Sequence, residues 1–394
     1  MSSAENHSST EFPVSRVPAL LARPGETLGI VGGGQLGRML ALAARSLGYR
    51  VHVYAPESDP PAGPVANRVE QAGFHDRDRV ARFARGVQAA TFEFENIPLQ
   101  AMQWIEEEGV LRPSSDVLRI AQDRILEKQF LQRHGFPATP ARPIRSLDNL
   151  VAAVKDLGLP AVLKRSTMGY DGKGQCVLRS AAETGAAWQA MEGRESILEA
   201  WVDYEKELSV IIARTTDGQM ASFPVFENSH LDHILDLTFA PADITREIGD
   251  QAVAIGKDLA AQLGVVGLLT VELFLTSDGR VLVNELAPRT HNSGHLTIDA
   301  CITSQFEQQV RAVCGLPLGD PGLRGGAAMV NLLGNLWSEA SPDWCRALED
   351  PCVKLHLYDK QPPRPGRKMG HMTVQAGTAR EAIERVREAR SRLR

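Results

Sequence analysis

Leu268-Leu-Thr-Val-Glu-Leu-Phe-Leu-Thr-Ser-Asp-Gly-Arg-Val-Leu-Val-Asn-Glu285 reads as two strands around Asp278-Gly279. Asp-Gly between β-rich runs is a strong hairpin signal, because the tight two-residue turn needs positive φ at both central positions. With those two residues as the turn, Ser277 pairs with Arg280, and counting outward sets Glu272 directly opposite Glu285. Opposed Cβ atoms lie about 5 Å apart, where like charges destabilise a sheet. Two carboxylates placed there call for a cation. Hard oxygen ligands with open positions suit Mg²⁺ that also carries substrate phosphates. The alternative is an exposed pair splayed into water, but the strands are otherwise largely apolar on both faces.

Working outward, 394 residues suit two or three domains with ample core. Apolar content of 43% and charged content of 23% are those of an ordinary globular protein. A formal net charge of −5 argues against a general nucleic-acid binder. The five cysteines (Cys176, Cys301, Cys314, Cys345 and Cys352) are odd in number and lack metal-like spacing. With no signal-peptide pattern at the start, they predict a reducing cytoplasm. No apolar run approaches the roughly 20 residues of a membrane span, so no membrane partner is expected. Residues 1–24 are Ser-rich and polar and read as a disordered extension.

Thr27–Val31 reads as a buried strand running into Gly32-Gly-Gly-Gln-Leu-Gly37, then a helix from about Arg38 to Leu47 and a strand at Arg50–Tyr54. With further apolar runs at Ala89–Phe92 and near Val110, the first hundred residues predict a doubly wound α/β domain. Asp123–His134 has helical spacing, and the Pro-rich stretch Pro137–Pro143 follows it. Strands are predicted at Ala161–Lys164, Gly174–Leu178, Ser196–Trp201 and Glu207–Ala213. Helices are predicted at Ser180–Met191, about Asp250–Leu263 and about Ser304–Cys314. The expected division is an extension at 1–24, an α/β domain at 25–122, a small lid at 123–202 and a large domain at 203–394.

Gly32–Gly37 fits G-x-G-x-x-G between strand and helix. A nicotinamide dinucleotide site would add an acid at the end of the second strand, yet that strand ends Val53-Tyr54-Ala55-Pro56. A phosphate monoester site and plain tight packing stay open. Lys164-Arg-Ser-Thr-Met-Gly-Tyr-Asp-Gly-Lys-Gly174 joins two strands and is not a Walker A loop; it is either a flap over phosphates or an ordinary hairpin. Glu199-Ala-Trp-Val202 is a short linker able to show its backbone to an adenine edge. Leu286-Ala-Pro-Arg-Thr-His-Asn-Ser-Gly-His295 packs Arg289, His291, Asn292 and His295 after the second carboxylate, a density that favours a site. No cysteine or helical H-E-x-x-H context supports reading its histidines as zinc ligands. The basic stretch from Lys360 to His371 is either solvated or a phosphate-binding turn.

Together these pieces resemble the ATP-grasp superfamily and, within it, the N5-carboxyaminoimidazole ribonucleotide synthases. The matching strings are Gly32–Met39, Thr91–Pro98, Gly169–Gln175, Asn284–His295, His356–Lys360 and Arg364–Lys368. The resemblance implies an ATP-grasp fold behind a doubly wound pre-ATP-grasp domain, with ATP and Mg²⁺ bound between lid and large domain. It implies that Arg124 and Lys164 contact phosphates, covered by the loop of Gly169, Tyr170, Asp171, Gly172, Lys173, Gly174 and Gln175. Glu199, Ala200, Trp201 and Val202 would hold adenine, with Glu207 on ribose and His230 nearby. Glu272 and Glu285 would bind Mg²⁺, with Asn284 at the nucleotide. Successive strand residues face opposite ways, so Asn284 and Glu285 share a ligand shell only if the strand distorts.

The implied chemistry is phosphoryl transfer from ATP to bicarbonate, followed by carboxylation of aminoimidazole ribonucleotide. Arg289 and His291 would hold the bicarbonate and its acyl phosphate, Tyr170 would close the pocket, and Lys360 would reach toward the ribonucleotide. Gln35, Glu93, Asn292 and Arg367 would bind that ribonucleotide, which gives the first glycine motif a monophosphate role. A homodimer is implied as well. A dehydrogenase built on Gly32–Gly37 and a ligand-binding protein without activity are the rival readings from other classes.

Overall fold

Four short runs, three of them rich in apolar or β-branched residues, form the first sheet. In the computed structural model, which describes residues 21–169, 174–338 and 340–393, they lie parallel in the order Arg68–Gln71, Arg50–Ala55, Thr27–Val31 and Ala89–Phe92. The helix Gln35–Ser46 starts three residues earlier than expected and presses Leu36, Met39 and Leu40 onto this sheet. The apolar run near Val110 contributes a single parallel bridge, Ala90 to Leu111.

A small antiparallel sheet forms the lid, in the order Ala141–Ile144, Ser196–Ala200, Ala161–Arg165 and Gln175–Leu178. The expected lid boundary at 123 falls just before a helix that packs on both units. The helix Arg124–Arg133 buries Leu131 in the core of the large sheet, not of the lid. The expected helix over Ser180–Met191 is a 3₁₀ turn, Ala181–Glu183, followed by Thr184–Ala190.

The large sheet has nine strands. Its order is Val281–Ala287, Gly267–Thr276, Tyr204–Arg214, Phe226–Leu231, Ile234–Ala240, Gly326–Leu333, Lys368–Ala376 and Val353–Leu357, with Met220–Ser222 paired to Tyr204–Arg214. The basic stretch that starts at Lys360 therefore ends inside a strand, and His371 is fully buried. Behind this part of the sheet packs the helix Ala379–Ser391, through Ala382, Val386 and Ala389.

The helix Gln305–Cys314 joins the two halves of the molecule. Its Phe306, Val310 and Val313 complete the core under the first sheet. Gln309, 1% exposed, donates from Nε2 to Thr91 Oγ1 at 2.9 Å and accepts from the Leu268 amide at 2.7 Å. The same helix corrects the extension expected at 1–24. Leu21 and Ala22 are in place, their amides donating to the Cys314 carbonyl at 2.9 and 3.1 Å; the first twenty residues lie outside the described part.

The first glycine motif is a socket for a carboxylate. Glu93, at the end of the Ala89–Phe92 strand, accepts from the Gly34 amide and, at 2.5 Å, from the Gly37 amide. A helix N-terminus attracts an anion through unpaired N–H groups, and here a side chain of the protein fills that place. Gly32 has φ +100, and a Cβ on it would lie 2.5 Å from Glu93 Cγ. Gly32→Ala is therefore expected to destabilise the fold by about 2–4 kcal/mol through strain and overpacking. Urea denaturation of the two proteins measures it.

Candidate active site

The carboxylate hairpin is paired as expected at its functional end, by a different route. Its turn has three residues, not two: Thr276 pairs with Arg280, its amide donating to the Arg280 carbonyl at 3.0 Å, and Gly279 takes φ +81. From there Leu275 pairs with Val281, Phe274 with Leu282 and Leu273 with Val283. The register then slips by one residue, so that Glu272 does face Glu285. Asn284 is the extra residue of a β-bulge. Val283 and Leu286 stay in the core, while Asn284 and Glu285 both turn to a cleft of about 1220 Å³. The strand distortion needed for them to share a ligand shell is present.

This cleft runs between lid, large sheet and first domain, and it gathers most of the expected residues. Gln35, Arg124, Lys164, Gly169, Gln175, Glu199, Ala200, Trp201, Val202, Glu207, His230, Glu272, Asn284, Glu285, Arg289, His291 and Asn292 all line it. Tyr170, Asp171, Gly172 and Lys173 lie outside the described residues. Glu93 is not on the wall, since it is spent on the glycine amides. With those amides committed, the motif offers them to no phosphate, and the monophosphate role given to it is not what its backbone does here.

Other expected residues sit elsewhere. Arg367 turns its guanidinium onto its own loop, donating to the Gln361 and Pro362 carbonyls at 2.8 and 2.9 Å, while the neighbouring Lys368 lines the cleft. Lys360 Nζ stands 6.0 Å from the centroid of the Tyr358 ring and contributes a positive field at Glu93. Gly174 has φ +74 and closes the base of the lid hairpin, its carbonyl accepting from the Arg165 amide at 2.8 Å.

Acids in the cleft are matched by cations from other elements. Arg124 Nη1 reaches Glu285 Oε2 at 3.0 Å. Arg289 Nη2 holds Glu95 Oε1 at 2.7 Å, and Glu207 meets His230 and the Tyr204 hydroxyl. Burial works against charge on Glu272, but the hydrogen bond from His291 and the positive field of its neighbours outweigh it and hold its carboxyl well below the usual range. Glu199 does not present its carboxylate to a base. It bonds Lys164 Nζ at 2.6 Å and faces Lys128 Nζ at 3.6 Å. Burial alone would raise its pKa; Lys128 and Lys164 bring it down to about 2.

His291 is oriented by a buried chain that the sequence did not disclose. Thr238 Oγ1 donates to Asn228 Oδ1 at 3.0 Å, and Asn228 Nδ2 donates to Ser209 Oγ at 3.1 Å. Ser209 Oγ donates to Ser293 Oγ at 2.8 Å, which stands 2.9 Å from His291 Nδ1. The Ser293 amide also points at that nitrogen. Nδ1 is thus the acceptor, and Nε2–H faces Glu272 Oε1 at 3.0 Å. His295 is buried behind this loop, with Gln305 Nε2 3.3 Å from its Nδ1, so the two histidines do not converge on a zinc ion.

Two groupings bear on metal binding. Glu272, Glu285 and the Asn284 amide oxygen are hard donors on one wall of the cleft. Among the described residues, Asn284 Oδ1 is buried without a hydrogen-bond partner. That set fits Mg²⁺. Asp299, His356 and His371 also cluster. There, however, the two rings stack at 4.5 Å with planes 14° apart, so their in-plane lone pairs run side by side, and His356 Nε2 is 2.8 Å from Asp299 Oδ2.

The comparisons with known proteins agree from residue 25 to residue 385. Residues 25–122 match the ribonucleotide synthetase preATP-grasp domain, 129–306 the ATP-grasp domain and 327–385 the phosphoribosylaminoimidazole carboxylase C-terminal domain. N5-carboxyaminoimidazole ribonucleotide synthase of Bacillus subtilis is 43% identical over 365 residues, covering 92% of this chain and 95% of that protein. The chain belongs to the N5-carboxyaminoimidazole ribonucleotide synthase family. A solved ADP complex of an N5-carboxyaminoimidazole ribonucleotide synthetase superposes with a TM-score of 0.88 at 41% identity, covering 94% of this chain and 98% of that one. The synthase of Aspergillus clavatus, solved with ADP and 5-aminoimidazole ribonucleotide, superposes with a TM-score of 0.85 at 30% identity over 94% and 99% of the two chains. A bifunctional purine synthesis protein of Dictyostelium discoideum is 40% identical, but this synthase-family chain spans only 38% of its length.

The Glu199 pairing gives a pH test. Its carboxyl is depressed from 4.5 to about 2 in the folded protein, a difference on the order of 3 kcal/mol. Because the folded pKa is the lower one, that stabilisation is complete above the unfolded value and is lost as pH falls toward 2. Urea midpoints of the wild type are expected to drop across that acid window more steeply than those of Glu199→Gln. Parallel slopes would refute the pairing.

Proposed function

We propose that this chain uses ATP and bicarbonate to carboxylate 5-aminoimidazole ribonucleotide, giving N5-carboxyaminoimidazole ribonucleotide in purine biosynthesis. The observation that carries the reading is a single cleft with two chemically distinct ends. At one end Lys164 of the lid shares the wall with Arg124 and the bulged trio Glu272, Asn284 and Glu285. The other is lined by Arg289, Asn292 and Gln35, with Arg289 tied to Glu95 of the first domain, and His291 stands against Glu272 between the two. Asn292 Nδ2 and Oδ1 and Arg289 Nε are buried without partners among the described residues, as expected of donors and acceptors kept for a substrate.

ATP fits the first end. The Ala200 and Trp201 amides donate to the carbonyls of Pro140 and Pro160 at 2.9 and 3.2 Å, so an adenine edge would be read by the Val202 amide. Trp201 and the stacked pair Tyr204–Phe274, 4.5 Å apart, offer apolar surface beside it. Glu207 accepts from ribose, and Lys164 and Arg124 hold phosphate oxygens. Mg²⁺ on Glu272, Asn284 and Glu285 would neutralise phosphate charge as transfer proceeds. Arg289 and the Nε2–H of His291 hold the bicarbonate oxyanion and the carboxyphosphate that forms when it takes the γ-phosphoryl group. Charge neutralisation and exclusion of water, not a protein nucleophile, are what such a step needs. Lys368 and Lys360 meet the ribonucleotide monophosphate. A homodimer, which rests on the family resemblance, and a cytoplasmic location, read from the cysteines and the lack of a signal-peptide pattern, belong to the same reading; among the described residues no helix is long and apolar enough to cross a membrane.

The direct test is ADP release by the purified protein with Mg²⁺, ATP and bicarbonate, with and without aminoimidazole ribonucleotide. Binding of NADH instead of ATP would reverse the reading. Arg289→Ala is expected to keep near-normal ATP affinity while losing about 10²–10³ of bicarbonate-dependent ADP formation. If affinity and turnover fall in equal proportion, Arg289 belongs to the nucleotide end.

A further inference from the structure

One face of the helix Arg124–Arg133 grips three consecutive residues of the bulged strand. Arg124, Glu127 and Lys128 are spaced i, i+3 and i+4, so their side chains project together. Arg124 Nη1 takes the Glu285 carboxylate at 3.0 Å. Lys128 Nζ donates to the Asn284 main-chain carbonyl at 2.8 Å. Glu127 Oε2 accepts from the Leu286 main-chain amide at 2.8 Å. A bulge disrupts the ladder and leaves the extra residue unpaired, and a buried backbone group without a partner is costly. Here the helix supplies a partner for the carbonyl of the extra residue and for an amide two positions on.

Lys128 also reaches the lid. Its side chain is 8% exposed and stands 3.6 Å from Glu199 Oε1, while the other oxygen of Glu199 holds Lys164. Neither Glu127 nor Lys128 lines the cleft. Lys128 therefore links the Asn284 carbonyl, through Glu199 on the lid strand Ser196–Ala200, to the phosphate-side Lys164, and it does so from behind the site.

We propose that Lys128 is a positioning residue: by fixing the Asn284 carbonyl it keeps the extra residue in the strand and so builds the wall that carries Asn284 and Glu285. The proposal rests on the ATP- and Mg²⁺-dependent reading above. Regular alternation would send one of these two side chains to the opposite face, removing a hard oxygen ligand from the cleft. The ribonucleotide end, built on the first domain and the Arg289 loop, does not depend on this carbonyl.

Wild-type Mg²⁺- and ATP-dependent carboxylation, measured first, tests the function itself; its absence would sink that reading and not this one. In the same assay Lys128→Met is expected to raise the Mg²⁺ concentration for half-maximal rate, and the KM for ATP, by about tenfold or more, as loss of a supporting contact to ligands does. The KM for aminoimidazole ribonucleotide stays at its wild-type value, and Lys128→Arg recovers part of the loss. A lysine serving stability alone would reduce the amount of active enzyme and leave every half-saturation unchanged, which would overturn the proposal. Hydrogen exchange on the unliganded wild type decides the matter even if the methionine variant does not fold. Amides 284–286 should exchange as slowly as those of 281–283. Rapid exchange that slows only with Mg²⁺ and ATP would mean the ligands, not the helix, make the bulge.

Discussion

A strand that alternates strictly can turn only every second side chain toward a cleft, and an ATP-binding wall that needs two neighbours must break that rule. The break is the extra residue at Asn284. It lets Asn284 and Glu285 share a face, sets Glu285 opposite Glu272, and returns Leu286 to the core. Leu286 and Ala287, the last residues of the strand, take the shifted phase. The position suits the device. Val281–Ala287 is an edge strand of the large sheet, where an unpaired backbone group can be met by a neighbouring helix and not only by another strand.

The acids of the cleft are met by donors of the protein. Glu285 pairs with Arg124, Glu272 with His291, Glu199 with Lys164 and Glu95 with Arg289. Glu285–Arg124 and Glu95–Arg289 join elements far apart in the chain, and removing one partner would strand the other charge in a partly dry site. The same arrangement suits exchange. A nucleotide phosphate can take over a cation and a divalent ion an acid, so binding swaps one set of neutral pairs for another instead of burying new charge.

Local chemistry made much of this legible in the sequence. The strand at Ala89–Phe92 follows from an apolar run and the helix Arg124–Arg133 from its helical spacing. The carboxylate pairing was reached through two offsets that cancel. A two-residue turn places Ser277 opposite Arg280, whereas the three-residue turn shifts the register by one, and the bulge shifts it back. Hairpin counting sees neither, since Asp-Gly serves both turn types and a bulge in an apolar strand leaves no mark but the pair Asn284-Glu285. Partners settled by tertiary structure stayed hidden. Nothing near Glu93 shows that it caps the glycine motif, and nothing near Arg367 shows that it folds back on Gln361. The Thr238–Asn228–Ser209–Ser293 chain is assembled from four separate segments. The first two or three positions at either end of a helix were also uncertain, because packing and capping decide them.

The helix Gln305–Cys314 has a consequence for how such a protein can be divided. Phe306, Val310 and Val313 lie in the core beneath the first sheet, nearly two hundred residues after the apparent boundary near residue 122. A gene fragment ending at that boundary would encode an open hydrophobic surface and a Thr91 hydroxyl without Gln309. The N-terminal unit is thus a region of sequence but not a portable module. Recombination that exchanged it between relatives would have to carry the distant helix along, or find a host whose own helix matches it residue for residue.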